Sequence, residues 1–219
     1  MMVEIGKKAP NLQVSGWAQG EATNLDRLLG KVILVEVFQV NCPGCFLYGL
    51  PEAIEVYSKY RNGDFEVLGL STAFEDFDKN TSENLTKLLS DGEVVGQTRA
   101  TLSEHGWLNQ QKLRYSIPFP IAIDRLMDRD SVHVDDKVKS VIEHEVPNFE
   151  RLSYGEQMRL TTRIRDYLLQ REYTAATFET YGMRGTPTSL LIDKQGVLRY
   201  NLFGTTGKLD RLVRELLAE

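Results

Sequence analysis

The run VILVEVF, residues 32–38, constrains this chain more than any other stretch. It is apolar except for Glu36, and a continuous β-branched run without polar alternation marks a strand covered on both faces. A second such run is FEVLGLS, 65–71, and a shorter one is PIAID, 120–124. Between the first two, residues 45–61 resume helical spacing through Leu47, Leu50, Ile54, Tyr57 and Tyr60, and NGD, 62–64, makes a turn. Pro51 lies about two turns into that segment and is expected to kink it. TSLLID (188–193), the turn KQG, and VLRYNLFG (197–204) form a closing hairpin. The last residues put Leu209, Leu212, Val213, Leu216 and Leu217 on one helical face. Strands alternating with helices, then a hairpin and a helix, predict an α/β fold with a mixed central sheet flanked by helices.

A chain of 219 residues is long enough for one large domain, or for one domain carrying an insertion. Residues 82–92, SENLTKLLSDG, begin a helix-rich stretch reaching to about 111, which Ser82 to Leu85 can open and Gly92 can stop. Residues 125–178 are charge-rich, carry no Gly-rich linker, and read as an insertion of two or three helices. Within it, Ser153 and Glu156 match a capping box, and Leu160, Ile164, Tyr167 and Leu168 make one stripe. VDDKVKSVIEHE is helix-compatible as well. The insertion could serve as a lid, as a homodimer interface, or as an ornament.

A net charge of −5, with acids and bases interspersed, recruits neither nucleic acid nor an anionic membrane surface. The N-terminus, MMVEIGKKAPNLQVSGW, has no apolar core and no small-residue cleavage site of a secretory leader. No apolar run approaches the roughly 18 residues of a membrane span. The expectation is a cytoplasmic protein.

Both cysteines of the chain fall in NCPGC, directly after the first strand. At a strand-to-helix junction the first sulfur of a Cys-x-x-Cys pair meets unpaired backbone N–H groups and the positive end of the helix dipole. Both favour a thiolate. The second sulfur, one turn on, can attack a mixed disulfide formed by the first, and Pro43 fits the first helical turn without needing an N–H partner. The pattern suits thiol–disulfide exchange, with Cys42 attacking and Cys45 resolving. Two other readings stay open. Zinc would need further ligands, and His105, His133 and His144 show no paired spacing. Inert buried cysteines are the other. His133 and His144 read as solvated surface residues, and His105, beside Gly106 and Trp107, as a helix end.

Glu36 stands six residues before Cys42. A buried carboxylate without a counter-charge is costly when ionised, so its pKa should rise and let it trade protons near neutrality, as acceptor for Cys45. A place at a sheet edge, or a pairing with an arginine, is the alternative. Pro187, in RGTPTSLLID, directly precedes a strand; a cis Thr186–Pro187 bond would turn the backbone of Thr186 toward a bound peptide or thiol, whereas a trans turn is the plainer expectation from composition.

Taken together, VILVEVFQVNCPGC, VLGLS, FPIAID and YGMRGTPTSLLIDKQGVLRY resemble the thioredoxin-like superfamily, nearest its TlpA/ResA-like and AhpC/TSA-related branch. The resemblance covers roughly residues 3–124 and 178–219 and implies a thioredoxin-like fold. It further implies an N-terminal β-hairpin extension before the core, and it leaves uncovered the helical insertion before the cis-proline strand, which is read from its own residues. By the same resemblance Cys42 takes the nucleophile position, Cys45 the resolving position, Glu36 the buried acid and Pro187 the cis-proline, with Thr186 and Pro43 beside the substrate. A disulfide-bearing protein or small-thiol substrate, a thiol reductant, and no metal or organic cofactor are what the family implies. Asn41 departs from it, standing where many relatives carry tryptophan, and the dipeptide between the cysteines is Pro-Gly. A peroxiredoxin would place Pro and Thr where this chain has Val35 and Gln39. A non-catalytic binding module built on the insertion is the third possibility.

Overall fold

The computed structural model describes residues 2–128 and 134–219. The expectations for His133 and for the side chain of His144 fall outside what is described. The chain divides into two compact units, Met1–Leu126 with Ala175–Glu219, and Met127–Thr174. In chain order the strands are β1 (Val14–Gln19), β2 (Val32–Phe38), β3 (Phe65–Ser71), β4 (Leu108–Asn109), β5 (Lys112–Leu113), β6 (Ile121–Asp124), β7 (Leu126–Asp128), β8 (Tyr173–Ala175), β9 (Thr188–Ile192) and β10 (Leu198–Phe203). The helices are α1 (Leu50–Tyr60), α2 (Ser82–Asp91), α3 (Gly96–Glu104), α4 (Val134–Glu145), α5 (Tyr154–Gln170), α6 (Ala176–Thr180) and α7 (Leu209–Ala218).

The first unit is built on a six-stranded mixed sheet in the order β1-β6-β3-β2-β9-β10. β2 is central, parallel to β3 and antiparallel to β9, and every one of its residues is buried. Strand alternation sends Val32, Leu34 and Phe38 to a core shared with Leu50, Ala53 and Val56 of α1 and Leu212, Val213 and Leu216 of α7. Ile33, Val35 and Val37 go to the opposite core, with Leu12, Phe178 and Tyr181. Each such side chain contributes about 1.5–3 kcal/mol on burial, which is why an unbroken apolar run can specify a central strand. Glu36 shares the parity of Leu34 and Phe38, so the strand aims it at the α1 side.

Several expectations change in detail. The N-terminal extension supplies one sheet strand rather than a hairpin. β1 pairs antiparallel with β6, and the residues after it form a loop and a 3-10 turn, Leu25–Leu28, capped by the Asn24 side chain. The stretch expected to be helix-rich, 82–111, holds two helices and the first strand of a small hairpin that closes at Lys112–Leu113. α2 is capped by Thr81 and stops at Gly92, whose φ of +72° closes the helix in the left-handed conformation. After α3, β4 and β5 pair through Gln110 and Gln111, both at positive φ. His105 is the C-cap of α3, with Nδ1 2.8 Å from the Thr101 carbonyl oxygen.

The second unit is a helical hairpin. β7 and β8, at its ends, pair with one another. Val134 and Val138 of α4 and Leu168 of α5 are buried together, with Ile142 and Ile164 packed against them. The Ser153–Glu156 capping box is present at the start of α5. Tyr167, expected on the apolar stripe, is instead exposed. No helix among the described residues is long and apolar enough to cross a membrane.

Candidate active site

The site begins at the C-terminal end of β2, where the chain leaves the sheet and turns into α1. Cys42 and Cys45 are joined in a disulfide, their Cα atoms 5.4 Å apart. Cys45 is fully buried, whereas Cys42 keeps 7 % of its surface. The Cys45 backbone N–H donates to Cys42 Sγ at 3.3 Å, so one amide of the turn faces the first sulfur in the way the helix-terminus argument requires. Cys42 Sγ also lies 3.5 Å from the Thr186 carbonyl oxygen. The oxidised sulfur has no hydrogen, so this is a close contact; a reduced Cys42 thiol would donate across it. With both sulfurs bonded to each other, neither is a thiolate available to a metal in this state.

Pro51 acts differently from the expected kink. A π-helical turn, Cys45–Gly49, runs into α1, and the Leu50 N–H bonds the Cys45 carbonyl five residues back. A proline ring clashes with the carbonyl four residues before it, here that of Leu47, and widening the turn relieves the clash. In that wide register the Phe46 carbonyl would receive its bond from residue 51, which has no N–H. The Tyr115 hydroxyl donates to Phe46 O instead, at 2.7 Å. Tyr115 was not legible as part of this site.

Gly49 closes the turn and is the most crowded point of the site. A Cβ there would lie 2.5 Å from Glu36 Oε1 and 2.6 Å from Pro187 Cβ, so any other residue would have to displace the Glu36 carboxylate and the proline ring. The signal in the sequence was a glycine inside a helical pattern, where it costs about 1 kcal/mol relative to alanine.

Glu36 is fully buried, opposite Ser189 on β9 and Gly69 on β3. β2 is not an edge strand, and the carboxyl partner is a serine, not an arginine. Ser189 Oγ donates to Oε2 at 2.6 Å, while Oε1 is buried without a hydrogen-bond partner. Burial pushes the pKa of Glu36 up from 4.5 to about 8; the Ser189 bond opposes the rise and the negative charge of Glu52 adds to it.

The Thr186–Pro187 peptide bond is cis. Pro187 is buried, its carbonyl accepts from the Gly204 N–H at 2.9 Å, and Thr188 Oγ1 donates to Gly185 O at 2.7 Å. Thr186 and Pro43 remain partly exposed next to Cys42. All six residues singled out in the sequence therefore fall in one place: Cys42, Cys45 and Pro43 on the turn, Glu36 beneath it, and Thr186 and Pro187 across from it.

Asn41 does structural work here. Its Oδ1 accepts from the Gln97 N–H at 2.7 Å and so caps α3 from a distant part of the chain, a task Val95 at the N-cap cannot perform. Its Nδ2 donates to Asp76 Oδ2, and its N–H donates to Asn80 Oδ1, both at 2.8 Å. Buried Gln39 accepts from the Phe74 N–H at 3.1 Å, tying the same loop down. Position 39, where a peroxiredoxin has a threonine hydroxyl, is thus occupied by an amide engaged with backbone.

No protein-family model and no curated protein sequence matches the chain. Among solved structures, a thioredoxin-like superfamily protein is 28 % identical with a TM-score of 0.59, the match covering 97 % of each chain. A thiol-disulfide isomerase from Corynebacterium glutamicum is 26 % identical with a TM-score of 0.60, over 98 % of this chain and 97 % of that one. A thiol:disulfide interchange protein from Chlorobium tepidum shares the fold, at 15 % identity and a TM-score of 0.52 over 99 % and 96 % of the two chains.

Proposed function

We propose that this chain, a thioredoxin-like superfamily protein, is a thiol–disulfide oxidoreductase whose Cys42–Cys45 pair cycles between dithiol and disulfide. The observation that carries the reading is the asymmetry of the pair: Cys42, beside the cis-proline, keeps 7 % of its surface, and Cys45 keeps none. An attacking thiol needs access, and a resolving thiol needs only its neighbour.

In the reducing direction the Cys42 thiolate attacks one sulfur of a substrate disulfide. The S–S bond breaks, and the other substrate sulfur leaves with the electron pair and takes up a proton. Cys45 then gives its proton to the Glu36 carboxylate and attacks Cys42 Sγ. The mixed disulfide breaks, the second substrate thiolate leaves and is protonated, and the protein disulfide forms. Two electrons pass from protein to substrate, and a thiol reductant restores the dithiol. The oxidising direction is the reverse. The partner class is a disulfide-bearing protein or small thiol, which would lie against the Thr186 backbone and Pro43. A cytoplasmic location, with the reducing direction that would suit it, belongs to the same proposal.

Mixing the reduced protein with a disulfide-linked peptide tests the reading. We expect one peptide disulfide consumed per chain, with the protein losing two hydrogens by intact mass. Consumption no faster than with an equal concentration of free glutathione would overturn it.

A further inference from the structure

We propose that Ser189 is a positioning residue for the proton transfer: it holds Glu36 by Oε2 and so makes Oε1, the oxygen facing the redox turn, the one that takes and returns the proton. The inference rests on the reading above, in which Glu36 exchanges a proton with Cys45.

The geometry is asymmetric. Oε2 is held by Ser189 Oγ at 2.6 Å, whereas Oε1 is buried, without a partner, and 2.5 Å from where a Cβ on Gly49 would stand. Gly49 is the last residue of the turn that begins at Cys45. A carboxyl whose one oxygen already accepts a short hydrogen bond binds its proton on the other, where no bond must be broken first. The other groups around Glu36 cannot do the holding. Thr188 Oγ1, the neighbouring hydroxyl on β9, is bound to Gly185 O. β3 presents Gly69 in register with it. Glu52 on α1 accepts from the Leu209 N–H at 3.2 Å, starting α7, and acts on Glu36 only through its charge.

Ser189 therefore has two effects. It favours the charged form of Glu36, since its hydroxyl donates to the carboxylate, and it fixes which oxygen is free. Ser189→Ala removes both by deleting only the hydroxyl oxygen.

The test uses the reduced full chain, with the Glu36 side-chain carboxyl followed by carbon-13 NMR across pH. The resolving step is timed in parallel, on a mixed disulfide of Cys42 with a chromogenic aromatic thiol. In Ser189→Ala we expect the Glu36 titration midpoint to rise by about one pH unit or more, and the inflection of the resolving rate to rise with it. Ser189→Thr, which keeps a hydroxyl, should restore both. An unmoved midpoint in Ser189→Ala, or a Ser189→Thr chain that behaves like it, overturns the assignment. Failure of the underlying reading looks different: the natural chain's rate would then show no inflection at the Glu36 midpoint, and Glu36→Gln would leave the rate profile unchanged.

Discussion

Cys42→Ser is expected to lower the rate of exchange with a peptide disulfide by more than about a thousandfold, because a serine hydroxyl is essentially never ionised at neutral pH while a thiol at a helix start is partly thiolate. Cys45→Ser should behave in the opposite way. The first attack is retained, the second has no nucleophile, and the protein accumulates as a stable mixed disulfide through Cys42. Both follow from the burial difference between the sulfurs: a sealed Cys45 cannot replace Cys42 as the attacking group. Stopped-flow thiol release and intact mass separate the two variants. Equal losses without a trapped adduct would mean that the assigned order of attack is wrong.

Glu36→Gln is expected to stabilise the oxidised chain, and by an amount that grows with pH. The folded chain raises the pKa of this group from 4.5 to about 8, so between those values the unfolded chain has released a proton that the folded one keeps. Stability contributed by the neutral carboxyl is complete below pH 4.5, declines as the pH rises, and is fully lost above about 8. At 1.36 kcal/mol per unit the total is on the order of 5 kcal/mol. Glutamine has nearly the same shape, can still accept from Ser189, and does not ionise. Urea denaturation should therefore find variant and natural chain alike at pH 4, and the variant more stable by several kcal/mol at pH 9. The same variant should resolve mixed disulfides about a hundredfold more slowly, the low end of what a positioned proton acceptor contributes. Parallel stability curves across pH would mean that Glu36 is ionised in the folded state and that its burial is balanced by a charge.

The core of the fold was written locally and could be read. β2, β3 and β9 stand out as short apolar runs and α7 by its helical periodicity, and the cysteines sit at a junction whose chemistry depends only on position. What escaped reading depends on partners far along the chain. The π turn relieves the clash of the Pro51 ring with the Leu47 carbonyl, but its shape depends on Gly49 meeting Glu36 of β2 and Pro187 just before β9. β1 pairs with β6, a strand more than 100 residues away that is itself paired with β3, so its partner could not be read from its own residues. The β4–β5 hairpin was hidden because Gln110 and Gln111 hold left-handed conformations usually assigned to Asn and Gly. Asn41 reads as a departure from a family pattern until α3 is folded against it, and then as that helix's cap. Ser189 was one of two hydroxyl residues opening an apolar strand, invisible until the register set it opposite Glu36.

The central claim is that Cys42 and Cys45 form a reversible two-electron couple. Equilibrating the protein with graded glutathione buffers and trapping free thiols measures it directly. The account predicts one transition, with a tenfold change in the dithiol-to-disulfide ratio for about every 30 mV, between the roughly −270 mV of thioredoxin and the roughly −120 mV of a strong disulfide-forming oxidant. A value near the first would mean a reductant, and one near the second an oxidant. A pair that stays dithiol at every poise, or stops at glutathione adducts, would contradict the account.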